Sequence, residues 1–323
     1  MSVEHGPGRR VRVARRTPLA QDICGFEFVD ADGAALPTFS AGAHIDVHLP
    51  GGLVRQYSLC NDTRETHRYE IAVLLDPASR GGSRALHGVR EGDVIRIGDP
   101  RNHFPLDPAA RHHRLFAGGI GITPLLCMAA HLAGVGASFD LHYCTRSPQR
   151  TAFADRIRTS PFADRAQFHF DDGPAQQRLD LGVALARPTA GTHLYVCGPA
   201  GFMEAVLAAA RAAGWPEAVL HREYFAGAPA AEGGDAPFEV QLASSGRVVQ
   251  VAAGQTVVAA LEGAGVSVPV SCEQGVCGTC LTRVISGTPD HRDVYLTEDE
   301  HERGDQFTPC CSRAKSKRLV LDL

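Results

Sequence analysis

The sequence predicts a multidomain protein of three folded segments in series. An antiparallel β-barrel segment comes first, an α/β segment with a parallel sheet second, and a small α+β segment last. Three observations predict this. Short apolar runs broken by Gly, Pro, Asp and Asn fill the first third; strand and helix patterns alternate through the middle; and five of the ten cysteines gather near the C-terminus. The length of 323 residues agrees, since roughly 100–200 residues per domain gives two or three domains.

In the first segment, residues 1–107, strands are expected at 12–15, 26–29, 44–49, 55–59, 69–74 and 94–97. Gly51-Gly52, Asn61-Asp62 and Asp76-Pro77 supply turns between them, and Asp99-Pro100 closes the region. In the second, residues 108–228, strands are expected at 115–117, 139–144, 167–170, 194–197 and 219–220, with helices at 124–133 and 201–213. Strand–helix alternation implies a parallel sheet covered on both faces. Residues 229–236 are small, Gly/Ala-rich and without periodicity, and read as a linker. In the third segment, residues 237–323, runs at 238–242 and 247–252 flank Ser244-Ser245-Gly246 as a β-hairpin, and a helix follows at 256–263.

Composition narrows the function classes. Apolar residues make up 44% and charged residues 21%, as in ordinary globular chains, which excludes wholesale disorder. Thirty-two basic against thirty-six acidic residues give a net charge of -4, so neither nucleic acid nor an anionic membrane is the expected partner. No apolar run approaches the ~18 residues of a membrane span. The N-terminus has arginines but no apolar stretch of a secretory signal behind them. A cytoplasmic location is expected, where cysteines serve as metal ligands or free thiols.

Cys272, Cys277 and Cys280 followed by Cys310 give the spacing C-x4-C-x2-C, 29 residues, C. This is the plant-type arrangement for a [2Fe–2S] cluster: three thiolates on one tight loop and a fourth from a distant segment. Gly275 and Gly278 lie where the backbone must turn and bring N–H groups to the sulfurs. Structural zinc prefers paired C-x2–4-C knuckles, and only Cys277 and Cys280 make one. Cys311 adjoins the fourth position, and the 29-residue gap favours Cys310.

The segment from Ser271 to Cys280, with Pro309-Cys310-Cys311-Ser312-Arg313, resembles the C-terminal ferredoxin of the phthalate dioxygenase reductase family, to which vanillate demethylase reductases belong. The family's domain order is flavin barrel, nicotinamide domain, β-grasp ferredoxin, and the resemblance covers essentially the whole chain. It implies an electron-transfer oxidoreductase serving a Rieske-type oxygenase or demethylase. A cytochrome P450 partner, and a redox sensor with a vestigial flavin domain, are the other readings.

Further residues follow from the resemblance. Arg55-Gln56-Tyr57-Ser58-Leu59 is similar to the family's R-x-Y-S-L flavin motif. Tyr57 is then expected against the flavin ring, Ser58 at its reactive nitrogen and Arg55 on its phosphate. Arg80-Gly81-Gly82-Ser83 is a turn opening a short helix, whose N–H groups suit the same phosphate. Domain order in related reductases favours FMN over FAD.

Gly118-Gly119-Ile120-Gly121-Ile122-Thr123-Pro124 follows a strand and opens a helix. It departs from G-x-G-x-x-G and is similar to the ferredoxin reductase-like variant, whose glycines admit a pyrophosphate. Thr123 is expected as N-cap and Pro124 in the first turn. In the family the segment Cys197-Gly198-Pro199 lies beside the nicotinamide, so Cys197 is expected to shape the hydride path with Phe225, while Glu223 and Phe225 end the last strand over the flavin–nicotinamide junction. Thr145 and Arg146 sit where the adenosine ribose is met; they do not discriminate NADH from NADPH, and the resemblance favours NADH. Most of the fifteen histidines are expected at the surface, and Cys24, Cys60, Cys127 and Cys144 in the core. The acidic run Glu298, Asp299, Glu300 and Glu302 reads as a solvated helix, with docking of a basic partner as its other use.

Overall fold

Alternating apolar side chains set the first sheet. In β1 (Arg9–Ala20), Val11 and Val13 are buried between exposed arginines. Five further strands join it: β2 (Ile23–Asp30), β3 (His44–His48), β4 (Val54–Ser58), β5 (Tyr69–Leu74) and β6 (Val94–Ile97). All pairs are antiparallel, in the order β4-β3-β6-β1-β2-β5. Beyond β4, Cys60 N donates to Glu70 O at 2.9 Å, which ties the two edges of the order together and curls the sheet. The computed structural model describes residues 8–77, 81–186, 188–225 and 235–323.

A short helix, α1 (Gly82–His87), separates β5 from β6. Then strand and helix alternate: β7 (His112–Gly118), α2 (Ile122–Gly134), β8 (Phe139–Thr145), α3 (Ala154–Arg158), β9 (Ala166–Phe170), α4 (Leu181–Ala184), β10 (Thr192–Cys197), α5 (Ala200–Ala212) and β11 (Leu220–Glu223). The strands are parallel in the order β11-β10-β7-β8-β9. The chain moves from β7 to one side first and returns to the other through β10. The carboxyl ends of β7 and β10 therefore form the switch point where open α/β sheets hold ligands.

The chain divides by its internal contacts into two units, residues 1–223 and 224–323. The first carries both sheets because one apolar cluster runs through both. Ile23, Cys60, Ala72 and Phe104 pack in it with Leu115, Leu125, Met128 and Tyr143. Arg156 on α3 adds a polar tie, donating to Glu70 Oε2 at 2.7 Å and to Cys60 O at 3.2 Å.

The second unit is a mixed sheet, order β13-β12-β18-β14-β16, with β12 (Phe238–Leu242) parallel to β18 (Arg318–Leu321). Antiparallel partners are β13 (Val248–Val251), β14 (Thr282–Ser286) and β16 (Gln306–Phe307). Helix α6 (Val257–Gly263) buries Val257 and Leu261 on this sheet. A small ribbon, β15 (Pro289–Asp290) with β17 (Arg313–Ala314), and the exposed helix α7 (Glu298–Arg303) complete it. Thr256 caps α6 by accepting from Ala259 N at 3.1 Å.

Several expectations need correcting. Thr123 is not an N-cap. Gly121 occupies that position, and Thr123 lies inside α2 with its hydroxyl donating to Ile120 O at 3.1 Å. The histidines are less exposed than expected: His44, His113, His142 and His193 are buried. In the parallel sheet the register stacks His193 on His221 and His142 on His169 across neighbouring strands, and in the first sheet His44 stacks on His103. The last parallel strand begins at Leu220, and Val219 belongs to the helical turn before it. Arg80 and most of the expected linker lie outside the described residues. No helix among the described residues is long and apolar enough to cross a membrane.

Candidate functional site

Strand alternation in β4 sends Arg55 and Tyr57 to one face and Gln56 to the other. Arg55 lies over the start of α1: a Cβ on Gly82 would stand 2.6 Å from Arg55 Cγ and 3.0 Å from its Nε. Gly81 precedes it at φ 97°, a left-handed conformation suited to glycine. A guanidinium and backbone N–H groups thus meet at a small-residue cradle, as a phosphate requires. Ser83 follows inside α1, its Oγ accepting from Asp76 N at 3.2 Å. Gln56 turns away, its amide near His44 and Asp46 at 3.2 and 3.3 Å. Tyr57 is half-buried, and burial pushes its phenol up to about 12, so it remains neutral.

At the end of β4, Ser58 is buried and its Oγ donates to Glu223 Oε2 at 3.3 Å. Glu223 ends β11 in the other sheet. Crowding by protein atoms pushes its carboxyl up to about 8, although the Ser58 bond opposes this. The pair therefore holds a proton at neutral pH. Cys197, on the strand next to β11, is fully buried, and burial pushes its thiol well up, with Glu223 adding to this once it ionises. Cys197 is thus a neutral wall and not a nucleophile.

The turn after β7 is shaped by close approach. A Cβ on Gly121 would come within 2.6 Å of Gly198 N and closer still to the Cys197 carbonyl. A Cβ on Gly198 would meet Gly118 Cα at 2.9 Å. Gly119 has φ +53° with open space at its Cβ position. Gly118, Gly119, Gly121, Gly198 and Pro199 thus form one cradle at the switch point, with Pro124 buried in the first turn of α2. Thr145 does not offer its hydroxyl there; it is buried, bonded to Ser147 O and to Thr151 Oγ1 at 2.8 Å. Arg146 beside it is exposed. Phe225, in the second unit, is 42% exposed.

In the second unit Cys272, Cys277, Cys280 and Cys310 are all buried. Hydrogen bonds from Cys277 and Cys310 push the Cys272 thiol far down, and one from Cys310 lowers Cys280. Backbone N–H groups of Gln274 and Val276 point at Cys272 Sγ at 3.3 and 3.4 Å, and Thr279 N at Cys277 Sγ at 3.4 Å. Four convergent sulfurs wrapped by amide donors fit a [2Fe–2S] cluster. Cys311 Sγ also lies beside the loop, as the nearest atom to a Cβ built on Gly275, and it contacts Thr308 Oγ1 at 3.3 Å and Ser312. The loop's left-handed glycines press on residues that spacing did not reveal: a Cβ on Gly275 would stand 2.8 Å from Asp293 Cα, and one on Gly278 within 2.6 Å of the Tyr295 ring. The only sequence signal for these partners is that two such glycines must face something large.

Known proteins share these features from end to end. The 2Fe-2S iron-sulfur cluster binding domain profile matches residues 240–315, and the profile for the N-terminal domain of dimethylamine monooxygenase subunit DmmA-like proteins matches residues 98–220. A vanillate O-demethylase oxidoreductase of Pseudomonas putida is 60% identical over 313 residues, 96% of this chain and 98% of its own. The solved structure of phthalate dioxygenase reductase, described as modular for electron transfer from pyridine nucleotides to [2Fe-2S], superposes with a TM-score of 0.77 at 41% identity, covering 97% of both chains. An intact type IV self-sufficient cytochrome P450 monooxygenase gives a TM-score of 0.84 at 39% identity, over 98% of this chain and 41% of that one.

Proposed function

The chain belongs to the phthalate dioxygenase reductase family, and from that membership we propose that it is the reductase component of a Rieske-type oxygenase or demethylase system. It is an oxidoreductase that uses NADH, FMN and a [2Fe–2S] cluster to deliver electrons to an oxygenase. The observation that carries this reading is the 60% identity to a vanillate O-demethylase oxidoreductase across nearly the full length of both chains.

When bound, the cofactors would supply the redox chemistry: NADH the hydride, the flavin the link between two-electron and one-electron transfer, and the cluster single-electron delivery. The protein's work is placement. Arg55, Gly81, Gly82 and Ser83 would hold the FMN phosphate, with Tyr57 and Ser58 at the ring. Gly118, Gly119, Gly121, Gly198 and Pro199 would admit the NADH pyrophosphate, with Arg146 at its adenosine end. Cys272, Cys277, Cys280 and Cys310 would hold the irons. Glu223, with its pKa raised, accepts from Ser58 Oγ and so fixes the hydroxyl without adding a full negative charge beside it. Cys197 closes the site with a small neutral thiol that leaves room at the nicotinamide. We place the protein in the cytoplasm, where reducing conditions keep its ten thiols unbridged.

Anaerobic titration with NADH, followed by visible absorption and electron paramagnetic resonance, tests the chain of carriers. Bleaching of a flavin band together with a reduced-cluster signal is expected. No response to NADH overturns the reading. A second acceptor, a cytochrome P450, is favoured by one observation, the likeness to a segment of the self-sufficient monooxygenase. Reconstitution separates them: NADH-dependent O-demethylation of vanillate with a Rieske oxygenase is expected to outpace turnover by a P450 heme domain.

A further inference from the structure

We propose that His291, Asp293 and His301 form a binding site for a divalent transition metal on the second unit, distinct from the four-cysteine site. One donor atom from each lies within 4.8 Å of the others. His291 Nδ1 stands 3.5 Å from Asp293 Oδ1, and His301 Nε2 stands 3.3 Å from Asp293 Oδ2. An ion bonded to such atoms at about 2.0–2.2 Å sets donors apart by comparable spans, so little rearrangement is needed. Two imidazoles and a carboxylate are a donor set for zinc and its neighbours, not for magnesium or calcium.

An independent observation points to a ligand. The His291 side chain is only 8% exposed; its Nδ1 faces Asp293 at the long distance of 3.5 Å, and its Nε2 has no hydrogen-bond partner. A buried imidazole nitrogen left unsatisfied is unusual in a folded chain. Burial, aided by the His301 charge, holds its pKa below the ordinary imidazole value, which keeps it in the neutral form that ligates metals. Asp293 is fully buried and already oriented, its Oδ2 accepting from Leu296 N at 2.9 Å and its Oδ1 from Ser312 Oγ at 3.2 Å. The imidazoles stack at 4.3 Å between centroids, and both line a cavity of about 560 Å³. That cavity leaves room for water as a further ligand, and the part-exposed edge of His301 provides entry. A second group of two imidazoles and a carboxylate among the described residues, Asp107, His193 and His221, differs: His193 Nδ1 and His221 Nε2 already satisfy each other at 2.9 Å.

Zinc titration of the loaded protein by calorimetry, with iron content measured before and after, tests the site. One zinc per chain with no loss of iron is expected. His301→Ala, on the solvated helix α7, is expected to weaken that binding at least tenfold, and His291→Gln to do the same, while His193→Gln leaves it unchanged. If His291→Gln does not fold, His301→Ala decides. No zinc uptake at 100 μM, uptake matched by iron loss, or uptake that His301→Ala leaves intact overturns the proposal. None of these outcomes depends on the oxygenase partner, so the reading of function stands or falls apart from it.

Discussion

Ser58 and Glu223 are 165 residues apart in the chain and bonded in the fold. Ser58→Ala removes the oriented hydroxyl and leaves the strand intact. NADH–ferricyanide turnover should fall on the order of 10²-fold, with flavin still bound, as measured by steady-state kinetics and flavin content. Glu223 also gives stability a pH signature. Its ordinary pKa of 4.5 is pushed up to about 8 by burial in the folded chain. Between those values the folded state holds the extra proton, so its contribution is full below 4.5 and lost as pH rises through 8. Thermal melts of Glu223→Gln against the parent should therefore shift in favour of glutamine from pH 5 to pH 9, by roughly 8 °C. A pH-independent difference would show that Glu223 is already ionised. At the fourth cluster position, Cys310→Ser should abolish the [2Fe–2S] absorbance and Cys311→Ser should retain it, because Cys310 is the one that bonds to the Cys272 and Cys280 thiols.

Turns, more than strands, decide whether the elements reach one another. The β7–α2 turn works because Gly121 lets α2 sit against the end of β10. Gly121→Ala would drive a methyl group into the Cys197–Gly198 backbone, which has no flexible side chain to yield. A loss of about 1–3 kcal/mol is expected, with a weakened NADH affinity, read by melting and by dinucleotide titration. Gly278→Ala combines a clash with the Tyr295 ring and a left-handed φ of +67°. The loop between Cys277 and Cys280 cannot relax without moving its ligands. Purified Gly278→Ala protein should contain markedly less iron than the parent, while NADH–ferricyanide activity of the first unit persists.

Two units with separate cores imply separable chemistry. A chain ending before residue 237 keeps both sheets of the first unit. It should still reduce ferricyanide with NADH and should fail to reduce a one-electron protein acceptor that takes electrons from the cluster. Loss of both activities would mean that the first unit needs the second in order to fold. Transfer to the partner depends on the second unit, so Cys272→Ser is expected to reproduce the truncation's phenotype in the full chain.

The sequence by itself determined whatever rests on local spacing. The C-x4-C-x2-C loop, the turn from Gly118 to Gly121 and the hairpin around Ser244-Ser245-Gly246 are each written within a dozen residues, where sterics and ligand geometry act on neighbouring atoms. Tertiary structure decided whatever depends on contact between remote residues. It chose Gly121 over Thr123 as the cap, because α2 starts earlier to pack on β10. It buried Thr145, stacked histidines that looked solvent-bound, joined Ser58 to Glu223, and put Asp293 and Tyr295 behind the cluster loop. The physical reason is common to all of these. Spacing constrains a chain over one turn or loop, whereas burial, strand register and the direction of a side chain are set by what arrives from elsewhere.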